Sequence, residues 1–335
     1  MIDVQSMIKA KFTSVNQVTE PEKWSELRTT GIGGSDAGAI LGMNKYASRL
    51  SVYMAKKGIT NFEGNAATKW GHILEDPIRQ ESMQELGITL VTVPGMYTSN
   101  EYPFMNANVD GLAYAEHQVR IKGREIEGLG IHEIKTSANG DGFGEDEIPD
   151  SYYCQVQHYM CVTGLKWAIL SAFILSSREL KHYVVVRNDD FIENRLIPEE
   201  KDFWENYVEK NVIPSPEGSD NENEVVKSLP MADNVQLDDS ILDVIREERE
   251  IDSQIKELSK KQAALKNEIL LAIYKASEDA ESSEKTVATV GDYKITYNLQ
   301  IRKSVDADAL KKAGIYNDYL KETSSKVMRI SGGSQ

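Results

Sequence analysis

Two cysteines in 335 residues, no apolar run as long as a bilayer is thick, and too few cations for its acids: the chain is narrowed first by what it lacks. Cys154 and Cys161 stand seven apart in a stretch that reads as helix, which separates their Cα atoms by about 10 Å. That is beyond disulfide reach, so both are expected as core thiols. Two thiols also fall short of the roughly four cysteine ligands that an iron–sulfur cluster needs. Nothing approaches the roughly 20 apolar residues of a membrane span, and Met1 to Thr13 lacks the apolar core of a secretory signal. A cytoplasmic location with no membrane contact is expected.

Lysine and arginine number 38 against 53 aspartates and glutamates, for a net charge of −15. A nucleic-acid binder must set cations against phosphates, so the overall balance points away from that partner. Any such binding has to rest on a local basic surface, on metal ions or on oligomer geometry.

What is present suffices for one substantial core plus an appendage, with 40% hydrophobic residues. The chemistry concentrates in Asn108-Val109-Asp110-Gly111 and, after a gap, Ile131-His132-Glu133-Ile134-Lys135-Thr136. Residues two apart in a strand share a face, so Glu133 and Lys135 project together into whatever pocket Asp110 faces. Two carboxylates and an amine converging in this way suit a divalent-metal site beside a positioned cation. The bland alternative is a solvated strand face.

Other motifs flank this pair: Arg28 to Asp36 with glycines at 31, 33 and 34, Trp70-Gly71-His72-Ile73-Leu74-Glu75, and Pro149 to Tyr159. In this order the set resembles the YqaJ-type viral recombinase family. That family includes the lambda-phage-type 5′→3′ exonucleases of the PD-(D/E)xK superfamily, here with Val109-Asp110 in place of Pro-Asp. The resemblance covers about residues 24 to 210.

It implies an α/β fold: a restriction-endonuclease-like core with a mixed central sheet flanked by helices. It also implies a site in which Asp110, Glu133 and the Ile134 carbonyl bind Mg²⁺, for which Mn²⁺ can substitute. Glu75 completes the acidic set, Lys135 orients or deprotonates water, and Gln157 and Tyr153, sharing a helix face, position phosphate or lysine. The matching positions Arg28, Ser35 and Gly34 would hold a 5′-phosphate, at a turn and helix N-terminus whose N–H groups favour an anion. Ser35 or Asp36 acting only as a helix cap is the competing reading.

The activity so implied is digestion of one strand of linear double-stranded DNA to 5′-mononucleotides. A 3′ overhang is left for a single-strand annealing protein, and the enzyme is a homo-oligomer, a ring of three, in the bacterial host's cytoplasm. An endonuclease of the same superfamily and a non-catalytic DNA-end-binding module are the alternatives.

Along the chain, Pro21 is expected to open a helix through Trp24 to Arg28, and Trp70, Ile73, Leu74 and Ile78 follow helical spacing as an apolar stripe. His117 to Glu127 reads as a hairpin closed by Gly128-Leu129-Gly130, and Trp167 to Leu175 as a strand buried on both faces. The expected division is a nuclease body over 1–214, an acidic linker over 215–237, a long helix over 238–280 and a small α+β tail over 281–335. Ile241, Glu248, Ile255, Gln262 and Ile269 alternate with Val244, Ile251, Leu258, Leu265 and Ala272 at the a and d positions of five heptads. The tail offers a hairpin around Gly291-Asp292, a helix from Val305 to Lys312, a last strand from Lys326 to Ile330, and local basic charge including Arg302 and Lys303.

Overall fold

A computed structural model of the chain describes residues 15–16, 28–60, 64, 66–93, 95–277, 284–301, 304–321 and 328. Its contacts divide into two units, Met1–Pro230 and Met231–Gln335. No helix among the described residues is long and apolar enough to cross a membrane. Residues 24–27 of the expected first helix lie outside the described residues.

The first unit is mixed α/β. It runs β1 (Val15–Asn16), β2 (Ile32–Gly33), α1 (Gly34–Ile40), α2 (Arg49–Lys56), α3 (Ala66–Leu86), β3 (Thr89–Val91), β4 (Met96–Thr98) and β5 (Met105–Ala107). Then follow β6 (Gly111–Ile121), β7 (Arg124–Ser137), α4 (Asp150–Thr163), β8 (Trp167–Ile174) and β9 (Glu179–Val186). The central sheet has the order β3-β6-β7-β8-β9. Its pairs are antiparallel except β7 with β8. Parallel neighbours need a crossover, and α4 is that crossover.

One sheet face packs Leu112, Ile131, Leu170 and Tyr183 against Val156, Tyr159 and Met160 of α4. The other buries Ala113, Ile126, Trp167, Ile169 and Val184 with Ile88 and Leu90. Because β8 is covered on both faces, its sequence WAILSAFI shows no polar alternation.

Gly128 to Gly130 does not end a hairpin: β7 runs unbroken for 14 residues. Gly130 is there for a different reason, since a Cβ would come 2.2 Å from the Trp167 ring. Between the pairs Ala115↔Gly128 and Val119↔Ile126 the β6–β7 register shifts, so three residues of β6 oppose one of β7. A second sheet, β1-β4-β5-β2, sets β2 parallel to β5 through Ile32↔Met105 and Gly33↔Asn106, which brings the glycine-rich turn to the end of β5.

The apolar stripe expected on α3 holds only in its second half: Ile78 is buried, while Trp70 is 57% and Ile73 50% exposed. The spacing was helical, but the first turns of α3 project beyond the sheet that covers the later ones.

After β9 the chain continues as α5, formed by Asp189–Phe191, Ile192–Leu196, Ile197–Asp202 and Phe203–Val208. Two of its segments have π geometry. Glu200 of α5 pairs with His158 of α4 at 2.8 Å, both side chains fully buried.

The stretch expected as a linker contains α6 (Asp220–Ser228), capped by Ser219, with Val225 and Leu229 packed on a core cluster. Acidic composition masked that apolar pair at i, i+4.

In the second unit, α7 (Leu242–Ala276) is a 35-residue helix with no buried residue. β10 (Lys285–Val290) and β11 (Tyr293–Asn298) form a hairpin turning at Gly291-Asp292. α8 (Ala307–Lys312) follows. Arg302, Lys303 and the expected strand at Lys326–Ile330, apart from Met328, lie outside the described residues.

Candidate active site

The strand alternation of β7 decides what faces the cleft. Ile131, Glu133 and Lys135 look toward α4, and His132 looks toward α3. On the α3 side His132 Nε2 meets Ser171 Oγ at 2.9 Å, Ser171 meets His182 Nδ1 at 3.0 Å, and His182 Nε2 meets Glu85 at 3.0 Å.

On the other side, β6 begins only at Gly111, opposite His132. Beyond that point the β7 edge is open, and the Asp110 carboxylate occupies it: Ile134 N–H donates to Asp110 Oδ2 at 2.8 Å. In an extended strand the N–H and C=O of one residue face the same edge, so the Ile134 carbonyl is directed to the Asp110 side.

Glu133 is 1% exposed. Its Oε1 accepts from Lys135 Nζ at 2.7 Å and from Gln155 Nε2 at 2.7 Å. Its Oε2 is buried with no hydrogen-bond partner among the described residues. Burial, and then the Asp110 charge, push the Glu133 carboxyl up to about 8 against the pull of Lys135. Burial alone would lower the Lys135 amine, but the charges of Glu133 and Asp110 outweigh it and hold the amine above its usual range. Lys135 Nζ also lies 4.9 Å from the centre of the Tyr152 ring.

These residues line one cleft of about 670 Å³. Glu75 faces it from α3, its Oε1 2.8 Å from His72 Nδ1. The N-terminus of α1 supplies Gly34 and Ser35, and Arg28 lines the same cleft from the segment before β2. Of the two expected helix caps Asp36 is the one that acts, from inside the first turn: α1 starts at Gly34, and Gly33 N–H donates to Asp36 Oδ2 at 2.9 Å. Asp36 is thus spent inside the turn, also accepting from Lys56 Nζ at 2.6 Å, while Ser35 is left on the cleft wall. Lys56 in turn donates to the Arg28 carbonyl at 2.7 Å. Gly34 is a packing requirement, because a Cβ there would meet the Tyr159 ring at 2.4 Å.

Two expected site residues point elsewhere. Gln157 is fully buried on another side of α4, with Nε2 donating to Val186 O and Oε1 accepting from Asn188 N, each at 2.9 Å. Tyr153 packs on Phe191 and accepts from Asn188 Nδ2 at 3.1 Å. The physical reason is helix phase. Positions 152, 155 and 159 fall on one face, and 153 and 157 lie about 150° round from it.

The residues that do reach Glu133 are Gln155, which also donates to Tyr159 OH at 2.9 Å, together with Tyr152 and Tyr159. Their sequence signal was the 3.6 period set in phase with Gly34, which has to meet Tyr159. Arg79 was also missed. It is 7% exposed, pairs with Asp76 and donates to the Asp110 carbonyl at 3.1 Å, tying α3 to the acid that enters the open edge.

The donor set fits a hard divalent cation. A buried carboxylate oxygen without a partner, a second carboxylate and a carbonyl directed to the same edge are all oxygen ligands. No three His, Cys, Asp or Glu side chains among the described residues cluster closely enough to hold a metal, so the backbone oxygen is part of the fit.

The YqaJ-like viral recombinase domain model matches residues 23–166. The protein YqaJ of Bacillus subtilis (strain 168) is 26% identical over 326 residues, covering 94% of this chain and 95% of its own. Among solved structures, the alkaline exonuclease LHK-Exo of Laribacter hongkongensis is 20% identical, covering 57% of this chain and 94% of its own, with a TM-score of 0.41. A phage-related exonuclease from Haemophilus somnus 129PT is 16% identical over 56% of this chain and 98% of its own, with a TM-score of 0.39. The stretch that supplies the open edge, the buried glutamate and the glycine turn is the stretch that the YqaJ-like viral recombinase domain model matches.

Proposed function

We propose that this chain is a Mg²⁺-dependent 5′→3′ exonuclease of PD-(D/E)xK type. It removes 5′-mononucleotides from one strand of linear duplex DNA and leaves a 3′ overhang for a single-strand annealing protein, in a bacterial host's cytoplasm. The observation that carries this reading is the Glu133 carboxylate, buried, held on one oxygen by Lys135 and Gln155, with its other oxygen unpartnered beside Asp110.

Asp110, Glu133 and the Ile134 carbonyl would hold the cation, with Glu75 at the rim. When bound, it would supply a water of lowered pKa and offset charge on the scissile phosphate. Lys135, held protonated by two carboxylates, serves to orient a water or a phosphate oxygen and is poorly suited to accept a proton. Gln155 fixes the Glu133 rotamer through Oε1 and leaves Oε2 to face a ligand. Arg28 and Ser35, on the wall of the same cleft, receive the 5′-phosphate and limit cutting to a strand end.

Nuclease chemistry is assigned to the first unit. Assembly as a homo-oligomer, with three copies by resemblance, belongs to the same reading.

The test is digestion of linear duplex DNA with 5′-phosphate or 5′-hydroxyl ends, with and without Mg²⁺, beside Lys135→Ala. Mononucleotides released from phosphorylated ends, with the rate reduced by about 10³-fold or more in the variant, are expected. Equal cutting of closed circular duplex would replace the exonuclease by an endonuclease. No metal-dependent cutting would leave end-binding as the activity.

A further inference from the structure

We infer that α7 pairs antiparallel with α7 of a second copy of this chain, in one register. Along residues 250–269 every residue of the helix is exposed, its apolar side included: Ile251 is 49%, Ile255 56%, Leu258 63%, Leu265 53% and Ile269 45% exposed. These fall at a and d heptad positions, the geometry of a two-helix seam. A helix of this length with one bare apolar stripe lacks a partner surface.

Charge along α7 chooses the partner and its direction. Residues 242–255 hold five acids and two arginines, net −3; residues 256–276 hold five lysines and two glutamates, net +3. A second copy laid antiparallel sets each acidic half on a basic one. A parallel copy sets like on like, and its flanking g–e′ contacts become Glu247 with Asp252 and Lys261 with Lys266, each repulsive and each occurring twice.

The heptad also fixes the register. Facing Ile251 with Ile269 and Ile255 with Leu265 of the other copy stacks the apolar residues and leaves Leu258 beside Gln262 at the centre. The flanks then bring Glu247 to Lys275 and Asp252 to Lys266, twice each by symmetry, against a single Lys261–Lys261 repulsion. Within one chain Asp252 already accepts from Lys256 at 2.6 Å, a contact an exposed acid can share. Sliding one helix by a heptad in one direction sets Glu247 against Glu268; sliding it in the other gives up Ile251–Ile269, Glu247–Lys275 and Asp252–Lys266 for Lys261–Glu268 alone. The pairing does not depend on the nuclease reading.

The experiment uses the full chain carrying Ser259→Cys. In this register Ser259 residues of the two copies flank the seam together, whereas in a parallel pair they lie on opposite sides of it. A short bismaleimide should give a 259–259 cross-linked peptide, identified by mass spectrometry and lost when Ile255→Asp and Leu265→Asp are added.

In the same background, Glu247→Lys with Asp252→Lys, or Lys266→Glu with Lys275→Glu, should each weaken self-pairing by about tenfold or more. Mixing the two variants should restore it. Parallel pairing predicts the opposite for the second variant, which would self-associate more tightly in light scattering because Lys261 gains Glu at 266. No 259–259 peptide, a yield unmoved by both charge sets, or a gain in the second variant overturns the inference. Circular dichroism of each variant, with helix content as in the wild type, keeps a negative result from being a folding failure.

Discussion

Ile169 and Ile255 are the same residue under opposite conditions. Ile169, in β8, is 0% exposed between two faces of a covered sheet, and Ile255, halfway along α7, is 56% exposed. In the first unit the fully buried His158 and Glu200 find each other, with His158 Nε2 reaching the Asn106 carbonyl at 2.9 Å. The second unit holds a long helix whose apolar side is exposed along its length. Burial within one unit therefore reports how it folds, and exposure within the other reports what it still has to meet.

The contrast can be broken first at those two positions. Ile169→Ala should lower the unfolding free energy of the first unit by about 2–5 kcal/mol. Ile255→Ala should leave stability within about 0.5 kcal/mol under dilute conditions and act only on association. Urea denaturation of both variants checks this, and similar costs at the two sites would remove the distinction.

Within the first unit, Gln155 and Gln157 separate positioning from packing. Gln155→Ala takes a donor from the buried Glu133 and should cut DNA cleavage by about tenfold or more. Gln157→Ala loses Val186 and Asn188 and should cost about 1–2 kcal/mol of stability with kcat/KM unchanged. Equal loss of cleavage in both would undo the assignment of the α4 faces.

The smallest effects are slopes with pH, at most about 1.4 kcal/mol per pH unit for one group. Burial drives His132 from 6.5 down to about 3, so the fold favours its neutral form; that contribution is complete above pH 6.5 and is lost as pH falls toward 3. Glu133 is raised from 4.5 to about 8, so its contribution is complete below pH 4.5 and is lost as pH rises toward 8. In metal-free protein, Glu133→Gln should flatten the alkaline limb of stability against pH and leave the acid limb. An unchanged alkaline slope would contradict the raised carboxyl.

Asp110, Glu133 and Lys135 were legible in the sequence because a strand's period of two needs no knowledge of its neighbours. Gln155 was not, because which side of α4 meets the sheet depends on how helix and strand dock, and Gln157 satisfied the same local pattern. Gly130 read as a turn, although its missing Cβ serves the Trp167 ring from a strand that is not adjacent in sequence. Trp70 read as core because periodicity identifies a helix face without saying how far the covering sheet extends.

The shifted register in the β6–β7 hairpin has a consequence for inheritance. Three residues against one is a surplus of two, and two is the strand's own period, so Ala115 and Val119 keep their faces on either side of the irregularity. Lineages can therefore lengthen or trim this hairpin in pairs of codons without re-aiming a single side chain. A one-codon change would have to be absorbed by a new irregularity, or would exchange the two faces of a strand. Hairpin lengths among descendants of this gene should consequently differ in even steps.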